Sequence, residues 1–75
     1  MEEEKINNYI QEELKKRNLD EATAIDAARW LDDANLLKDY KQRPGMNLRK
    51  LCRQKKIKHA LKRGETKWFI QREDL

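Results

Sequence analysis

The stretch MNLRKLCRQKKIKHALKRGETKWFI, residues 46–70, predicts one short helix followed by a β-hairpin. The helix is expected over Met46–Gln54, because Leu48, Leu51 and Cys52 lie at spacings i, i+3 and i+4 and form one apolar stripe. A cysteine on such a stripe is interpreted as a small packed thiol rather than a reactive group or a metal ligand.

The polar side of this predicted helix carries residue types that can read DNA bases. Arginine, asparagine and glutamine can form paired hydrogen bonds with the major-groove edges of guanine and adenine. Asn47 is in addition a candidate N-cap. This side predicts contact with duplex DNA, and its candidate residues are Asn47, Arg49, Lys50, Arg53 and Gln54.

Residues 57–70 predict the hairpin. One strand is expected over Ile57–Leu61 and the other over Lys67–Ile70, with a turn at residues 62–66 in which Gly64 can take a positive φ. Side chains alternate along a strand, so one face is expected in the core and a basic rim outside it. The core face would hold Trp68 and Ile70, and the candidate phosphate contacts are Lys56, Lys58, Lys62, Arg63 and Lys67.

A break precedes the helix at Arg43-Pro44-Gly45. Proline biases the residue before it away from the helical region, and Gly45 permits a tight turn. Lys41 and Arg43 lie at this break, beside the start of the predicted helix. They are two further candidate phosphate contacts.

A preceding helix is expected to begin near Thr23, because Thr23–Asp26 resembles a capping box with aspartate in place of the usual glutamate. An earlier start capped by Asp20 stays open. Small residues on one side of this helix would let another helix approach closely, and Trp30 is expected in the core or at its edge. After it, three apolar residues between positions 32 and 45 either extend the helix or form a separate short turn: Leu36, Leu37 and Tyr40.

Residues 2–17 predict the first helix, with one apolar stripe at the helical period. Asn18 is expected to end it, because asparagine tolerates the left-handed conformation. The stripe is expected to pack on the rest of the domain, with a dimer contact as the alternative. It consists of Ile6, Tyr9, Ile10 and Leu14.

The chain has 75 residues, of which 43% are charged and 37% hydrophobic, and its mean hydropathy is −1.20. This length predicts one small domain, and the periodic apolar residues argue against disorder. No apolar run reaches the roughly 18 residues of a membrane span, and the acidic start MEEEK lacks the apolar region of a signal peptide. With one cysteine no internal disulfide can form, so a reducing, cytoplasmic setting is expected.

The charge is unevenly distributed along the chain. Residues 1–40 carry six basic and eleven acidic groups, a net charge of −5, whereas residues 41–75 carry twelve basic and three acidic groups, a net charge of +9. This asymmetry indicates a polyanion-binding half on an acidic support, or else a solvated lysine-rich surface.

The residue types do not assemble a catalytic constellation. The chain has no serine, one histidine and one cysteine, and it lacks a glycine-rich phosphate loop. His59 has no nearby cysteine or second histidine, so a surface or strand-packing position is expected rather than a metal site. We expect no enzyme activity, cofactor, metal, small-molecule substrate or membrane partner.

Several short motifs follow one another in a familiar order. They are Ala22–Ala28 (ATAIDAA), Ile57, Gly64, Trp68–Ile70 (WFI) and Gln71–Leu75 (QREDL). This order resembles the excisionase and MerR-type winged-helix DNA-binding domains of phages, integrative elements and bacterial regulators. The resemblance covers Ala22 to Leu75, and the hairpin with the Arg-Glu-Asp-Leu tail is its most specific part.

The chain departs from the family pattern in several ways. The family usually joins its two helices by a tight turn, whereas residues 32–45 intervene in this chain. Lys55 stands where the family often has glycine, and a non-glycine residue in a left-handed cap costs about 1 kcal/mol. The helix is therefore expected to end differently. Gln71 replaces the usual proline, and residues 2–17 lie outside the shared pattern.

The resemblance implies a mostly α fold with a small β-hairpin, that is, a winged helix-turn-helix-like domain with an extra N-terminal helix. Residues 1–75 would form a single domain, with 1–21 as the N-terminal helix and connection and 22–75 as the winged-helix core. The helix would enter the major groove with Arg49, Lys50 and Arg53. The hairpin tip would lie over an adjacent minor groove or phosphate strand with Lys62 and Arg63.

The expected function is non-enzymatic, sequence-specific binding of double-stranded DNA. The resemblance implies an excisionase-like or small regulatory protein of a phage or mobile element, acting in DNA recombination or transcription regulation. It also implies partners: double-stranded DNA, further copies of the chain along tandem sites, or an integrase. A phage terminase small-subunit module fits the same features.

Two other classes of function stay open. A protein–protein interaction module would use the N-terminal amphipathic helix and the basic half. RNA binding is a further alternative, but an exposed aromatic platform for stacking single-stranded bases is lacking unless Phe69 faces solvent.

Overall fold

The structure, a computed structural model, describes residues 2–65 and 67–74. Its elements, in chain order, are α1 (Glu2–Lys16), β1 (Glu21–Thr23), α2 (Ala24–Asp33), α3 (Met46–Arg53), β2 (Ala60–Arg63) and β3 (Lys67–Gln71). The strands form one antiparallel sheet in the order β1-β3-β2. The fold is therefore mixed α/β. The predicted helices and the hairpin are present, and a third strand, β1, which was not predicted from the sequence, pairs with the hairpin.

The short strand β1 leads directly into α2. Its central residue, Ala22, is buried and lies opposite Ile70 of β3. Thr23 ends the strand in extended conformation and caps α2, accepting a hydrogen bond of 3.1 Å from the Asp26 backbone N–H to its Oγ1. The predicted start near Thr23 is confirmed. A start capped by Asp20 was wrong, because residues 21–23 pair with β3 instead of turning into the helix.

The core lies between the helices and one face of the sheet. Helix α2 packs against both α1 and α3 and contributes the small buried residues of its predicted face. The predicted stripe of α1 is buried in the same core, with Tyr9 partly buried against it, so its packing on the rest of the domain is confirmed. Trp30 is only 8% exposed, as expected for a residue at the edge of the core. The largest fully buried side chains are Ile10, Leu14, Leu31, Leu48 and Ile70.

Amide side chains on α1 hold the two ends of the hairpin. Asn7 accepts a hydrogen bond from the Lys58 backbone N–H at 2.8 Å and donates to the Lys56 carbonyl at 3.0 Å. One turn later, Gln11 donates to the Gln71 carbonyl at 2.9 Å and accepts from the Glu73 N–H at 2.8 Å. We call these two residues the amide clamp. Helix α1 therefore braces the chain just before β2 and just after β3.

The clamp also explains where the first hairpin strand begins. The prediction that the first strand spans Ile57–Leu61 was wrong. The backbone at Lys56 and Lys58 forms hydrogen bonds with Asn7, so the strand begins only at Ala60. The second strand agrees with the prediction to within one residue. Gly64 has the predicted positive φ, 72°. Thr66, the last residue of the predicted turn, lies outside the described residues.

All three helices end in the same way. A residue in the left-handed conformation follows each helix, and the next N–H bonds back to a carbonyl five residues earlier, which is the Schellman motif. Helix α3 ends in this motif although Lys55 (φ 61°) is not a glycine, with Lys56 N–H donating to Leu51 O at 3.0 Å. The expectation that this helix ends differently was wrong. The other two helices use asparagine, Asn18 (φ 57°) and Asn35 (φ 58°), and Asn18 ends α1 as predicted.

This shared ending gives a prediction about stability. Lys55→Asn is expected to raise the free energy of unfolding by roughly 0.5–1 kcal/mol, because asparagine tolerates the left-handed region better than lysine. Asn18→Lys, the reverse exchange at the end of α1, is expected to lower it by a similar amount. Urea denaturation of both variants measures the effect, and a change of the same sign in both would contradict it.

Within residues 2–65 and 67–74, no helix is both long enough and apolar enough to cross a membrane.

Candidate nucleic-acid interface

An open groove of about 650 Å³ runs between α3 and the hairpin. It is lined by α3, by the loop before α3, and by Lys62 and Trp68 of the hairpin. These two residues lie opposite each other on neighbouring strands, so they share the sheet face that also carries buried Ile70. The groove brings together five of the predicted site residues: Arg43, Arg49, Lys50, Arg53 and Lys62.

The loop before α3 sets the position of that helix. Asp39 Oδ1 accepts a hydrogen bond of 2.8 Å from the Gly45 N–H, and Asn47 donates one of 2.7 Å to the Lys38 carbonyl. Gly45 is the N-cap of α3 with φ 79°, and a Cβ added there would lie 3.3 Å from Ile25 Cγ1. Only glycine fits this position without strain. The prediction of Asn47 as N-cap was wrong, because its side chain ties the helix to the loop.

This connection does not extend α2, and Tyr40 begins a separate short turn in which the Arg43 N–H donates to the Tyr40 carbonyl at 3.1 Å. Helix α2 stops at Asp33, and Leu36 and Leu37 pack against the core, while Tyr40 is 42% exposed and forms an isolated β-bridge with Arg43. The break predicted at Pro44 is present, since α3 begins at Met46. The loop therefore carries Arg43 into the groove next to the first turn of α3.

The charged groups of the groove lack acidic partners. Within the part of the chain that the structure describes, no carboxylate oxygen lies within 4.0 Å of the five groove cations. Among the described residues, six of the thirteen other basic side chains do have such a partner. They are Lys15, Lys16, Arg17, Lys56, Arg63 and Arg72. Glu65 is the one acidic residue that lines the groove, so the surface has a net positive charge of four.

Two further predicted residues border the groove rather than lie in it. Lys67 lines a neighbouring cleft of about 390 Å³ together with Arg49, Trp68 and Phe69. Lys41 lines a third depression, where Asp32 and Asp39 reduce the positive charge. Both lysines are exposed.

Arg63 occupies a different face of the hairpin from Lys62. Its guanidinium donates two hydrogen bonds, of 2.7 and 2.8 Å, to the carboxylate of Glu21 and stacks 4.5 Å from the centre of the Phe69 ring. Arg63 is therefore ion-paired within the domain, on the opposite face of the hairpin from Lys62, and its contact with phosphate stays a prediction. Phe69 lies on the outer face of the sheet, where the Arg63 guanidinium covers its ring.

The remaining predicted residues do not line the groove. Asn47 bonds to the loop, and Gln54 forms the C-cap of α3. Lys56 lies 3.7 Å from Glu3 of α1, and the Lys58 backbone is held by Asn7. These two lysines belong to the side of the domain where α1 meets the hairpin.

Six residues that line the groove were not predicted as site residues: Ile25, Gln42, Pro44, Met46, Glu65 and Trp68. Ile25, on the first turn of α2, is 43% exposed and lines the groove, and Trp68 is only partly buried and forms part of its wall. Ile25 gave a signal in the sequence, since it lies beside the small-residue face of α2 rather than on it. No signal in the sequence indicates that Trp68 lines the groove, because alternation along the strand predicts only that Trp68 shares a face with Ile70.

The single cysteine and histidine are placed as predicted. Cys52 is 3% exposed, and burial raises the pKa of its thiol to about 11, so it remains protonated at neutral pH. His59 is exposed, with φ 64° just before β2. Among the described residues, no group of three or more histidine, cysteine, aspartate or glutamate side chains is placed to hold a metal ion.

No family model, curated protein or solved structure matches the chain.

Proposed function

We propose that the chain is a non-enzymatic, sequence-specific double-stranded-DNA-binding protein of the winged-helix type. The order α1-β1-α2-α3-β2-β3, with sheet order β1-β3-β2, is compatible with such a fold. In this proposal α3 is the recognition helix and the β2–β3 hairpin is the wing. An excisionase-like or small regulatory role in a phage or mobile element is the narrower proposal, and it rests on the resemblance described above.

One observation carries the proposal: five cations without carboxylate partners line one groove between a helix and a hairpin. Duplex DNA presents a regular array of phosphates, and neutralising them supplies most of the affinity for DNA. Arginine side chains on an exposed helix can in addition bind guanine edges in the major groove. The groove therefore combines the two kinds of group that a specific duplex reader needs.

The protein-interaction alternative loses one of the two surfaces that it would use, the N-terminal helix, and keeps the basic half. It required the apolar stripe of α1 to be free, whereas Ile6, Ile10 and Leu14 are at most 4% exposed within this single chain. Single-strand stacking on Phe69 would first require Arg63 to leave both the ring and Glu21. The duplex proposal needs neither rearrangement.

The direct test is selection from a pool of random duplex DNA at near-physiological salt, followed by sequencing of the retained molecules. Enrichment of a short motif is the expected result, and tandem copies of it would favour the excisionase-like role. Salt-sensitive retention without a motif would reduce the proposal to non-specific binding, and no retention at low salt would refute it.

Lys62→Ala tests the hairpin as a wing. The variant is expected to bind selected and random duplexes more weakly by similar factors, because a lysine contact to phosphate carries no sequence information. The plot of log affinity against log salt should become shallower by about one unit, the loss of one neutralised phosphate. Lys5→Ala, at an exposed position on α1, is the control and should leave the slope unchanged. An unaltered slope in the Lys62 variant would remove the hairpin from the interface.

A further inference from the structure

Part of the lining of the cationic groove is apolar. Ile25, Pro44, Met46 and Trp68 all line it, and Ile25 also lines both neighbouring depressions. Ile25 is 43% exposed, although it belongs to a helix whose other apolar residues are buried. Because cationic side chains line the same groove, the exposed Ile25 side chain is a small apolar contact surface within a positively charged one.

This apolar surface lies at the N-terminal end of α3. The Cβ that would be built on Gly45, the N-cap of α3, comes within 3.3 Å of Ile25 Cγ1, so the two residues are in direct contact. In helix-turn-helix proteins, base edges are contacted by the N-terminal residues of the recognition helix. Ile25 therefore lies beside the end of α3 that would contact the bases.

Arg49 shares its surroundings with this apolar surface. It is partly buried, and it lines both the groove and the second cleft, in each case with Ile25 and Trp68. Lysines flank the same region, Lys62 in the groove and Lys67 in the cleft. A ligand for this region must offer an apolar group close to a hydrogen-bond acceptor, within a strongly anionic frame.

The major-groove edge of duplex DNA offers one apolar group, the C5-methyl of thymine. The methyl of 5-methylcytosine occupies the corresponding carbon. We propose that Ile25 and Trp68 form the contact for the C5-methyl group of a pyrimidine that neighbours a guanine bound by Arg49. The inference rests on the proposed function and adds to it a specificity determinant that lies outside the recognition helix.

The test compares duplexes that differ by one methyl group. In the duplex obtained by selection, each thymine is replaced in turn by deoxyuridine, which removes the methyl and keeps the base pair. Affinity is expected to fall about fourfold at one or two positions, the factor that corresponds to burial of one methyl-sized apolar group. A duplex with cytosine at such a position should bind the protein more tightly once that cytosine is methylated at C5. This comparison separates the effect of the methyl group from the effect of the pyrimidine that carries it.

The matched variant is Ile25→Ala, which should keep its fold because Ile25 is exposed. It is expected to discriminate less between thymine and uracil duplexes than the unaltered protein, because only Trp68 remains of the contact, while retaining its dependence on the neighbouring guanine. Leu19→Ala removes another exposed leucine-sized side chain, 38% exposed and outside the groove, and should keep the thymine preference.

The outcomes separate this inference from the function on which it rests. Equal affinity of the unaltered protein for thymine and uracil duplexes, with specific duplex binding intact, would overturn the methyl contact and leave the proposed function standing. A preference for thymine that is undiminished in Ile25→Ala would also overturn it. Absence of specific duplex binding would overturn both.

Discussion

Arg49→Ala is expected to weaken binding to the selected duplex by about 1–3 kcal/mol, roughly 5- to 150-fold, which is the usual loss for one paired arginine–guanine contact. Binding to random duplex should fall much less, because only one positive charge is removed from a groove that retains four other cations. Competition binding against labelled selected and random duplexes, at one fixed salt concentration, measures both losses.

Arg49→Lys is the matched control for charge. Lysine keeps the positive charge but cannot form the planar, paired hydrogen bonds of a guanidinium. This variant should therefore lose specificity nearly as far as the alanine variant while retaining its affinity for random DNA. Equal losses on both duplexes in Arg49→Ala would show that Arg49 binds phosphate rather than a base. Circular dichroism of each variant checks that the fold is intact, since Arg49 is partly buried.

Gln11→Ala is expected to lower the free energy of unfolding by about 1–3 kcal/mol, because two hydrogen bonds to the backbone at residues 71 and 73 are lost together. For a domain of this size the melting temperature should fall by roughly 5–15 °C. Gln11 is only 6% exposed, so its removal also leaves a small cavity. Thermal and urea denaturation give the two quantities independently.

Asn8→Ala provides the comparison for Gln11→Ala. Asn8 is an exposed amide on the same helix and is not part of the amide clamp. Its replacement therefore changes the helix propensity and leaves the hydrogen bonds of the clamp in place. Stability should be unchanged or slightly raised, since alanine is the better helix former. If both variants lost the same stability, the clamp would not be what holds the hairpin to α1.

Local patterns predicted most of the fold. The apolar stripe of α1, the Thr23 cap and the stripe of α3 each repeat over a single turn or two, so a short window contains the whole signal. Gly64 and Asn18 likewise act through their own backbone conformations. Strand β1 could not be predicted in this way, because three residues are too few to establish an alternation.

The site was predictable only in part, for a related reason. The cations of α3 and Lys62 could be found from local pattern and charge. The ion pair of Arg63 could not be found in this way, because its partner Glu21 is 42 residues away in sequence. The same holds for the amide clamp, where Asn7 and Gln11 bond to backbone 49 to 62 residues further on. Side chains that fold back over such distances leave no periodic signal.

The position of β3 has a consequence for the order in which the domain folds. It is the last strand in the chain and the middle strand of the sheet, so β1 and β2 pair with it and not with each other. During synthesis α1 emerges first, yet Gln11 finds its backbone partners only when residues 71 and 73 have left the ribosome. Contacts of such long sequence separation slow folding, since a large loop must close before they form. We therefore expect the sheet to close late in folding, after helices α2 and α3 have associated, and its closure to complete both the packing of α1 and the wall of the groove.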